Sequence, residues 1–282
     1  MMSSIPSKAT PLLSIVDLKI HFTMVDREVV HGISFDIFSK EVVALIGESG
    51  SGKSVTALSV TRLLPPREAR VSGTIAFQGK NLLNIPRKEL TAIRGRKVAY
   101  IFQEPGASLN PSLTIGYQMS EIIRHLPKKK RIQHIYNRLK DVGIMDTERC
   151  YRSYPHQLSG GMQQRVMIAM AILQEPDLLI ADEPTTALDV TLQKQILDLL
   201  KSLQQQCGFA ILMITHNLLL VSHFANRILV MFRGNIVESG ETRALLQEQK
   251  HPYTKALFQC IPRFRHKHQT LNPIDYAELG IV

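Results

Sequence analysis

Cysteine is scarce in this chain of 282 residues: Cys150, Cys207 and Cys260 lie far apart and form no CxxC pair. That spacing argues against a disulfide framework and against a zinc site. No apolar run approaches the roughly 18 residues that a membrane-spanning helix needs. The stretch from Met1 to Pro11 is polar, with a single lysine. These absences predict a protein that is neither secreted nor embedded, in a reduced cytosolic setting. Internal repeats, low-complexity tracts, Gly/Ser linkers and coiled-coil heptads are also missing. The length and the 44% hydrophobic content then suggest one main body with a satellite lobe.

What is present in excess is positive charge, a formal +10. Much of it sits in Lys128, Lys129, Lys130 and Arg131 and in Arg263, Arg265 and Lys267. A solvated helix face with a loose tail accounts for such runs, and so does an anionic neighbour, either nucleic acid or an acidic membrane surface.

Apolar residues alternate at Val16, Leu18, Ile20 and Phe22, and again at Ile33, Phe35 and Ile37. This is the period of half-buried strands, so the chain is expected to open as an antiparallel layer. Val42 to Ile46 reads as a buried strand, followed by a Gly/Ser loop and a helix from Lys53 that Pro65 and Pro66 stop. Val98 to Phe102 reads as another buried strand. From Glu104 to about Met170 the texture is helical, with an apolar stripe at Ile132, Ile135, Leu139 and Val142. Strands return at Leu178 to Ala181, Ala210 to Ile214 and Ile228 to Phe232, separated by helices, one of which carries Leu192, Ile196, Leu199 and Leu203. Alternating strands and helices imply a largely parallel sheet covered on both faces.

Three motifs carry chemistry. Gly47, Glu48, Ser49, Gly50, Ser51, Gly52, Lys53 and Ser54 fit the phosphate-loop pattern GxxxxGK[ST], between a buried strand and a helix. Glycines let backbone N–H groups turn toward phosphates, the helix end adds its dipole, Lys53 supplies a point charge, and Ser54 can ligate magnesium. Leu178 to Glu183 is an apolar strand ending in two carboxylates, which suits Asp182 near a magnesium ion and Glu183 near an attacking water. In Leu158 to Arg165, Ser159 is a good N-cap; in isolation the stretch is only a cap, while the open N–H groups of Gly160 and Gly161 also suit a second anion site.

The last stretch resembles the signature sequence of the ATP-binding cassette (ABC) ATPases. The resemblance implies an α/β fold with a phosphate-loop NTPase core of the RecA type, an antiparallel β layer and a helical subdomain. It makes Gln103 the Q-loop glutamine, on the magnesium side with Ser54 and Asp182 and coupled to the helical lobe, Ala187, Leu188 and Asp189 the D-loop, His216 the switch histidine, and the Ser159 to Gly161 helix end a site for a partner's γ-phosphate. Phe22 has two readings, an adenine platform by family analogy and a core phenylalanine. His216 is likewise either a γ-phosphate sensor or an ordinary residue at a strand end. Val55, which follows the phosphate loop, is counted with the nucleotide-binding residues.

Gly47 to Ala57, Ile101 to Pro105, Ser108 to Pro111, and His251-Pro252-Tyr253-Thr254 with Ile261-Pro262 narrow the similarity to the oligopeptide, dipeptide and nickel importer ATPases. Ser54 to Ala57 looks like the first of that family's two ATPase types. The implied domain is 12–262, with a core lobe of 12–103 and 171–245, a helical lobe of 104–170, and a short extension from 246 to 282. The implied cofactors are ATP and Mg2+. The implied partners are a second ATPase subunit, or a second copy of this chain, and two membrane permease subunits, with an extracytoplasmic substrate-binding protein acting indirectly. The expected location is the cytoplasmic face of the cell membrane, with peptide the default cargo and nickel the alternative. Three departures stand out. Lys40 occupies a usual glycine position, Asn217 replaces an aspartate, and Cys260 has no cysteine after it, so no iron–sulfur cluster is expected. A soluble ABC ATPase acting on nucleic acid or ribosomes is the rival reading. The single set of motifs speaks against it, and no nucleic-acid partner is expected.

Overall fold

The first strand departs from simple alternation. In the computed structural model, which describes residues 10–185 and 189–259, strand β1 runs Leu13–Phe22. Leu13, Ile15, Leu18 and Ile20 are fully buried, whereas Val16 is 51% exposed. The cause is a bulge. Asp17 has φ 47, and the pairing register slips between Ile15 and Leu18. An inserted residue moves the apolar set to the other phase, so Val16 does not lie on the apolar face that strict alternation assigned to it.

β1 pairs antiparallel with β2, Arg27–Ile37, and with β4, Ala69–Phe77, which carries the two-residue β5, Lys80–Asn81. In β2, Ile33, Phe35 and Ile37 are buried. The second sheet has six strands. Its centre is β3, Val42–Ile46, buried throughout. β6 (Val98–Ile101), β7 (Leu178–Asp182), β8 (Ala210–Thr215) and β9 (Arg227–Phe232) run parallel to it, and β10 (Asn235–Glu241) closes the edge antiparallel to β9. The order is β10-β9-β3-β8-β7-β6. Fully burying such an aliphatic side chain contributes about 1.5–3 kcal/mol relative to leaving it in water.

Helix α1, Lys53–Val60, starts where expected but ends before Pro65, because Arg62 adopts φ 54 and breaks the turn. α2, Arg87–Ile93, precedes β6. Between β6 and β7 come α3 (Pro105–Ser108), α4 (Ile115–Ile122), α5 (Lys128–Asp141), α6 (Thr147–Arg152) and α7 (Gly160–Ile172). One apolar cluster joins Ile135, Leu139 and Val142 of this stretch to Ile101, Leu179 and Met213 of the sheet. Ile132 is only half-buried, at the margin of the stripe. α8, Val190–Cys207, buries Ile196 and Leu203. The short α9, Leu218–Ser222, follows β8. α10 (Thr242–Gln247) and α11 (Pro252–Gln259) complete the described chain.

Lys128, Lys129 and Lys130 are exposed at the start of α5. They sit at the positive end of the helix dipole, an unfavourable place for cations that solvation relieves. Arg263, Arg265 and Lys267 lie outside the described residues, as does Cys260. Cys150 and Cys207 are free thiols. Lys40 has φ 63, the left-handed conformation that glycine adopts without strain. The turn therefore keeps a glycine-like backbone with a lysine in it.

Candidate functional site: a phosphate loop beside three strand ends

β3 ends at Ile46 and α1 begins at Lys53, so the phosphate loop lies at the carboxyl edge of the parallel strands, with β8 and β9 on either side. This is the edge where open α/β sheets take ligands. Gly47 has φ 153, and a Cβ there would meet the Met231 carbonyl oxygen at 2.1 Å, so no other residue fits. Gly52 is the N-cap of α1 and provides no side-chain cap. The first-turn N–H groups of that helix are therefore left for a ligand, with the helix dipole behind them.

Lys53 Nζ donates to the carbonyl oxygens of Gly47 at 2.9 Å and Glu48 at 2.6 Å, and to Ser51 Oγ at 3.3 Å. Burial lowers its pKa from the ordinary lysine value, while the charges of Glu183, Asp182 and Glu48 oppose the shift. Ser51 also accepts from Gly234 N at 3.0 Å through its carbonyl. Ser49 and Gly50 form the exposed tip, and Val55 packs half-buried beneath the antiparallel sheet.

Ser54 Oγ donates to Asp182 Oδ1 at 3.0 Å, and the Tyr100 hydroxyl donates to Asp182 Oδ2 at 2.9 Å. Burial pushes the Asp182 carboxyl up. The two hydrogen bonds oppose this, Glu183 adds to it, and Lys53 opposes it. The Tyr100 phenol is pushed up by burial and by the Asp182 charge. Among the described residues no group of three or more His, Cys, Asp and Glu could hold a metal. A hydroxyl beside one carboxylate, facing a phosphate loop, is instead the donor set that suits Mg2+, which keeps water and substrate oxygens as its other ligands.

Gln103, Glu183 and His216 follow the ends of β6, β7 and β8, three neighbouring strands, and meet at one carboxylate. Gln103 Nε2 donates to Glu183 Oε2 at 3.1 Å, and His216 Nδ1 lies 3.0 Å from Glu183 Oε1. The neutral His216 tautomer protonated at Nδ1 donates in this contact. Glu183 itself has φ 46, and its N–H donates to Ile214 O at 2.9 Å. A left-handed non-glycine residue costs on the order of 1–3 kcal/mol and persists where its surroundings hold it. Next to His216, Asn217 N donates to Thr215 Oγ1 at 3.0 Å.

Ser159, Gly160, Gly161 and Asp189 are not part of this constellation. Together with Arg165 they line a separate cavity of about 390 Å³ that includes no phosphate-loop residue. Ser159 caps α7, accepting from Met162 N at 3.4 Å, and Asp189 caps α8, accepting from Leu192 N at 3.0 Å. Ala187 and Leu188 lie outside the described residues. Phe22 ends β1 with its ring half-buried on the apolar cluster of the antiparallel layer.

Two residues reach the site without a sequence-based role there: Tyr100, and Tyr253, which stood out only as part of a family motif. The signal for Tyr100 was a phenol in an otherwise apolar strand, since buried tyrosines need a hydrogen-bond partner. Tyr100→Phe removes one of the two donors to Asp182. A hydrogen bond to a charged group is worth about 1.5–3 kcal/mol. Thermal unfolding of the variant is therefore expected to show a stability loss of about that size, because the buried Asp182 keeps only the Ser54 donor, and an unchanged melting curve would refute the assignment.

Residues 30–186 match the family profile of the ABC transporter. The chain belongs to that family, as one of its ATP-hydrolysing cassettes. Its relatives fall on the peptide-transport branch, for residues 237–279 match the oligopeptide/dipeptide transporter C-terminal region. The dipeptide transport ATP-binding protein DppD of Bacillus subtilis is 45% identical over 94% of this chain and 81% of its own length. The oligopeptide transport ATP-binding protein AppD of the same organism is 44% identical over 93% of this chain and 82% of its own length. Among solved structures, cbiO1 from Clostridium perfringens, part of the ABC transporter complex cbiONQ, superposes with TM-score 0.74. It is 27% identical and covers 84% of this chain and 91% of its own. The dimeric ATP-binding cassette MJ0796 in a post-hydrolysis state with ADP and Pi gives TM-score 0.72 at 26% identity, covering 82% of this chain and 99% of its own.

Proposed function

We propose that this chain couples ATP binding and hydrolysis to the uptake of di- or oligopeptides through separate permease subunits. The observation that carries the catalytic part is Glu183, held between Gln103 and His216 beside Lys53, Ser54 and Asp182. Glu183 takes the proton of the attacking water, His216 contacts the γ-phosphate, and Gln103 reports on the metal-side oxygens. Lys53 and the loop N–H groups neutralise phosphate charge. Ser54 and Asp182 would hold Mg2+, which when bound shields charge on the phosphate oxygens. Phe22 stacks on adenine. The peptide cargo is supported by the match over residues 237–279 and by the names of the relatives.

The Ser159 to Gly161 helix end shares a cavity with Asp189 that includes no phosphate-loop residue. In this reading it serves the nucleotide of a second cassette in a head-to-tail pair, a heteromer or a homodimer. ATPase rate per chain is accordingly expected to rise with protein concentration, or on addition of a partner ATPase. A specific rate independent of both would refute the shared site.

No helix among the described residues is long and apolar enough to cross a membrane. The chain in this reading is peripheral, at the cytoplasmic face, with residues 104–170 acting as a lobe that receives a cytoplasmic helix of the permease near Gly106 to Gly116. An apolar cavity of about 440 Å³ lined by Phe102, Leu109, Met167 and Met170 lies beside that segment. The deciding experiment reconstitutes the chain with its permeases and binding protein in vesicles. Peptide-stimulated ATP hydrolysis supports the proposal, and stimulation by nickel alone overturns the cargo.

A further inference from the structure

The His251-Pro252-Tyr253-Thr254 stretch lies far along the chain from the phosphate loop, yet the fold brings its tyrosine to that loop. Glu238 on β10 accepts the N–H groups of Lys250 at 2.8 Å and His251 at 3.0 Å. His251 Nδ1 accepts Tyr253 N at 3.2 Å, and Pro252 opens α11 at the first helical position, where its missing N–H costs nothing. These contacts seat α11 so that Tyr253 is fully buried, its ring 4.1 Å from that of Phe232 at the end of β9. The hydroxyl then accepts the backbone N–H of Glu48 at 3.0 Å.

Glu48 is thereby held at both of its backbone groups, its N–H by Tyr253 and its carbonyl by Lys53 Nζ at 2.6 Å. The same side of the loop is braced by the turn after β9, where Gly234 N donates to Ser51 O. Gly47 lies directly against the Met231 carbonyl. A loop that binds phosphate through its backbone gains affinity from being set in the binding conformation beforehand. The Tyr253 hydroxyl is the contribution of the C-terminal segment to that setting.

We propose that Tyr253 is a positioning residue for the phosphate loop: its buried hydroxyl fixes the Glu48 backbone, so that ATP affinity depends on the docking of α11. This rests on the nucleotide-site reading above. Tyr253→Phe keeps the ring against Phe232 and removes only the oxygen. In the full-length chain, calorimetric titration with MgATP is expected to give a Kd about tenfold weaker, a change of about 1.4 kcal/mol. KM for ATP should rise in parallel, with kcat at saturation within about twofold.

A packing role alone would lower the melting temperature and leave Kd where it was, and that result overturns the proposal. Glu48→Pro removes the donor instead. In that background Tyr253→Phe is expected to cost no further affinity, whereas two independent, additive losses overturn the link. If Tyr253→Phe does not fold, Glu238→Gln loosens the seat of α11 from a distance and is expected to weaken MgATP by about two- to fivefold, with no change counting against the proposal. Wild-type protein and Lys53→Ala run alongside. Failure of the wild type to bind MgATP overturns the nucleotide site itself, whereas equal binding by wild type and Tyr253→Phe overturns only the role of Tyr253.

Discussion

Glu183→Gln is expected to retain ATP binding and to slow hydrolysis by about 10²- to 10⁴-fold, the usual contribution of a positioned general base. The amide preserves the shape of the side chain, and it keeps its place between Gln103 and His216 once the Gln103 amide turns its oxygen toward the new N–H group. It cannot take a proton from water. The backbone should be unaffected, because the left-handed turn at this residue is held by its N–H to Ile214 rather than by the carboxylate. With turnover blocked, an ATP-bound pair should accumulate and run as a dimer on gel filtration, with the partner ATPase added if the pair is heteromeric. The decisive measurement is single-turnover hydrolysis by the complete transporter. A rate close to wild type would remove Glu183 from the catalytic role.

Lys53→Ala acts one step earlier. Its ammonium sits in the bowl of the loop, bonded to two carbonyl oxygens and a hydroxyl. Burial already makes its charged form costly. Such a charge is retained where an anion compensates it. Contacts between an ammonium and phosphate are charge-assisted, at about 1.5–3 kcal/mol each. Losing two of them corresponds to more than a hundredfold in affinity, so no MgATP binding is expected in a calorimetric titration at micromolar protein. The circular dichroism spectrum should stay that of the folded chain, since the buried strands on either side of the loop do not depend on the lysine. Binding equal to wild type would show that the loop does not hold phosphate through this residue.

Much of this site could be read without coordinates because each part of it is local. A phosphate loop needs glycines, a lysine and a serine in consecutive positions, and Asp182 and Glu183 follow one another at the end of an apolar strand. Ser159 caps its own helix. The central strands β3, β7 and β8 were equally legible, since burial on both faces makes every residue apolar save the last of β7, Asp182, and the last of β8, Thr215. β4 and β10 were not. β4 interleaves buried Ala69, Ile75 and Phe77 irregularly with exposed and half-buried positions, and β10 lies at a sheet edge with no buried residue. The phase of β1 is hidden for a related reason, because a one-residue bulge at Asp17 leaves no compositional mark.

The sequence by itself determined the chemistry of this protein: a phosphate loop, a pair of carboxylates, a second helix end capped by Ser159 and opened by two glycines, and the strands that carry them. Side-chain type and short spacing are properties of neighbours along the chain, and each of these motifs is a run of neighbours. Tertiary structure alone decided which strand ends meet. It set β6, β7 and β8 side by side, so that Gln103 and His216 converge on Glu183. It also brought Tyr100 to Asp182 across 82 positions and Tyr253 to Glu48 across 205. Such contacts depend on sheet order and helix docking, which follow from how all the apolar faces are buried at once, and no single stretch of sequence records that.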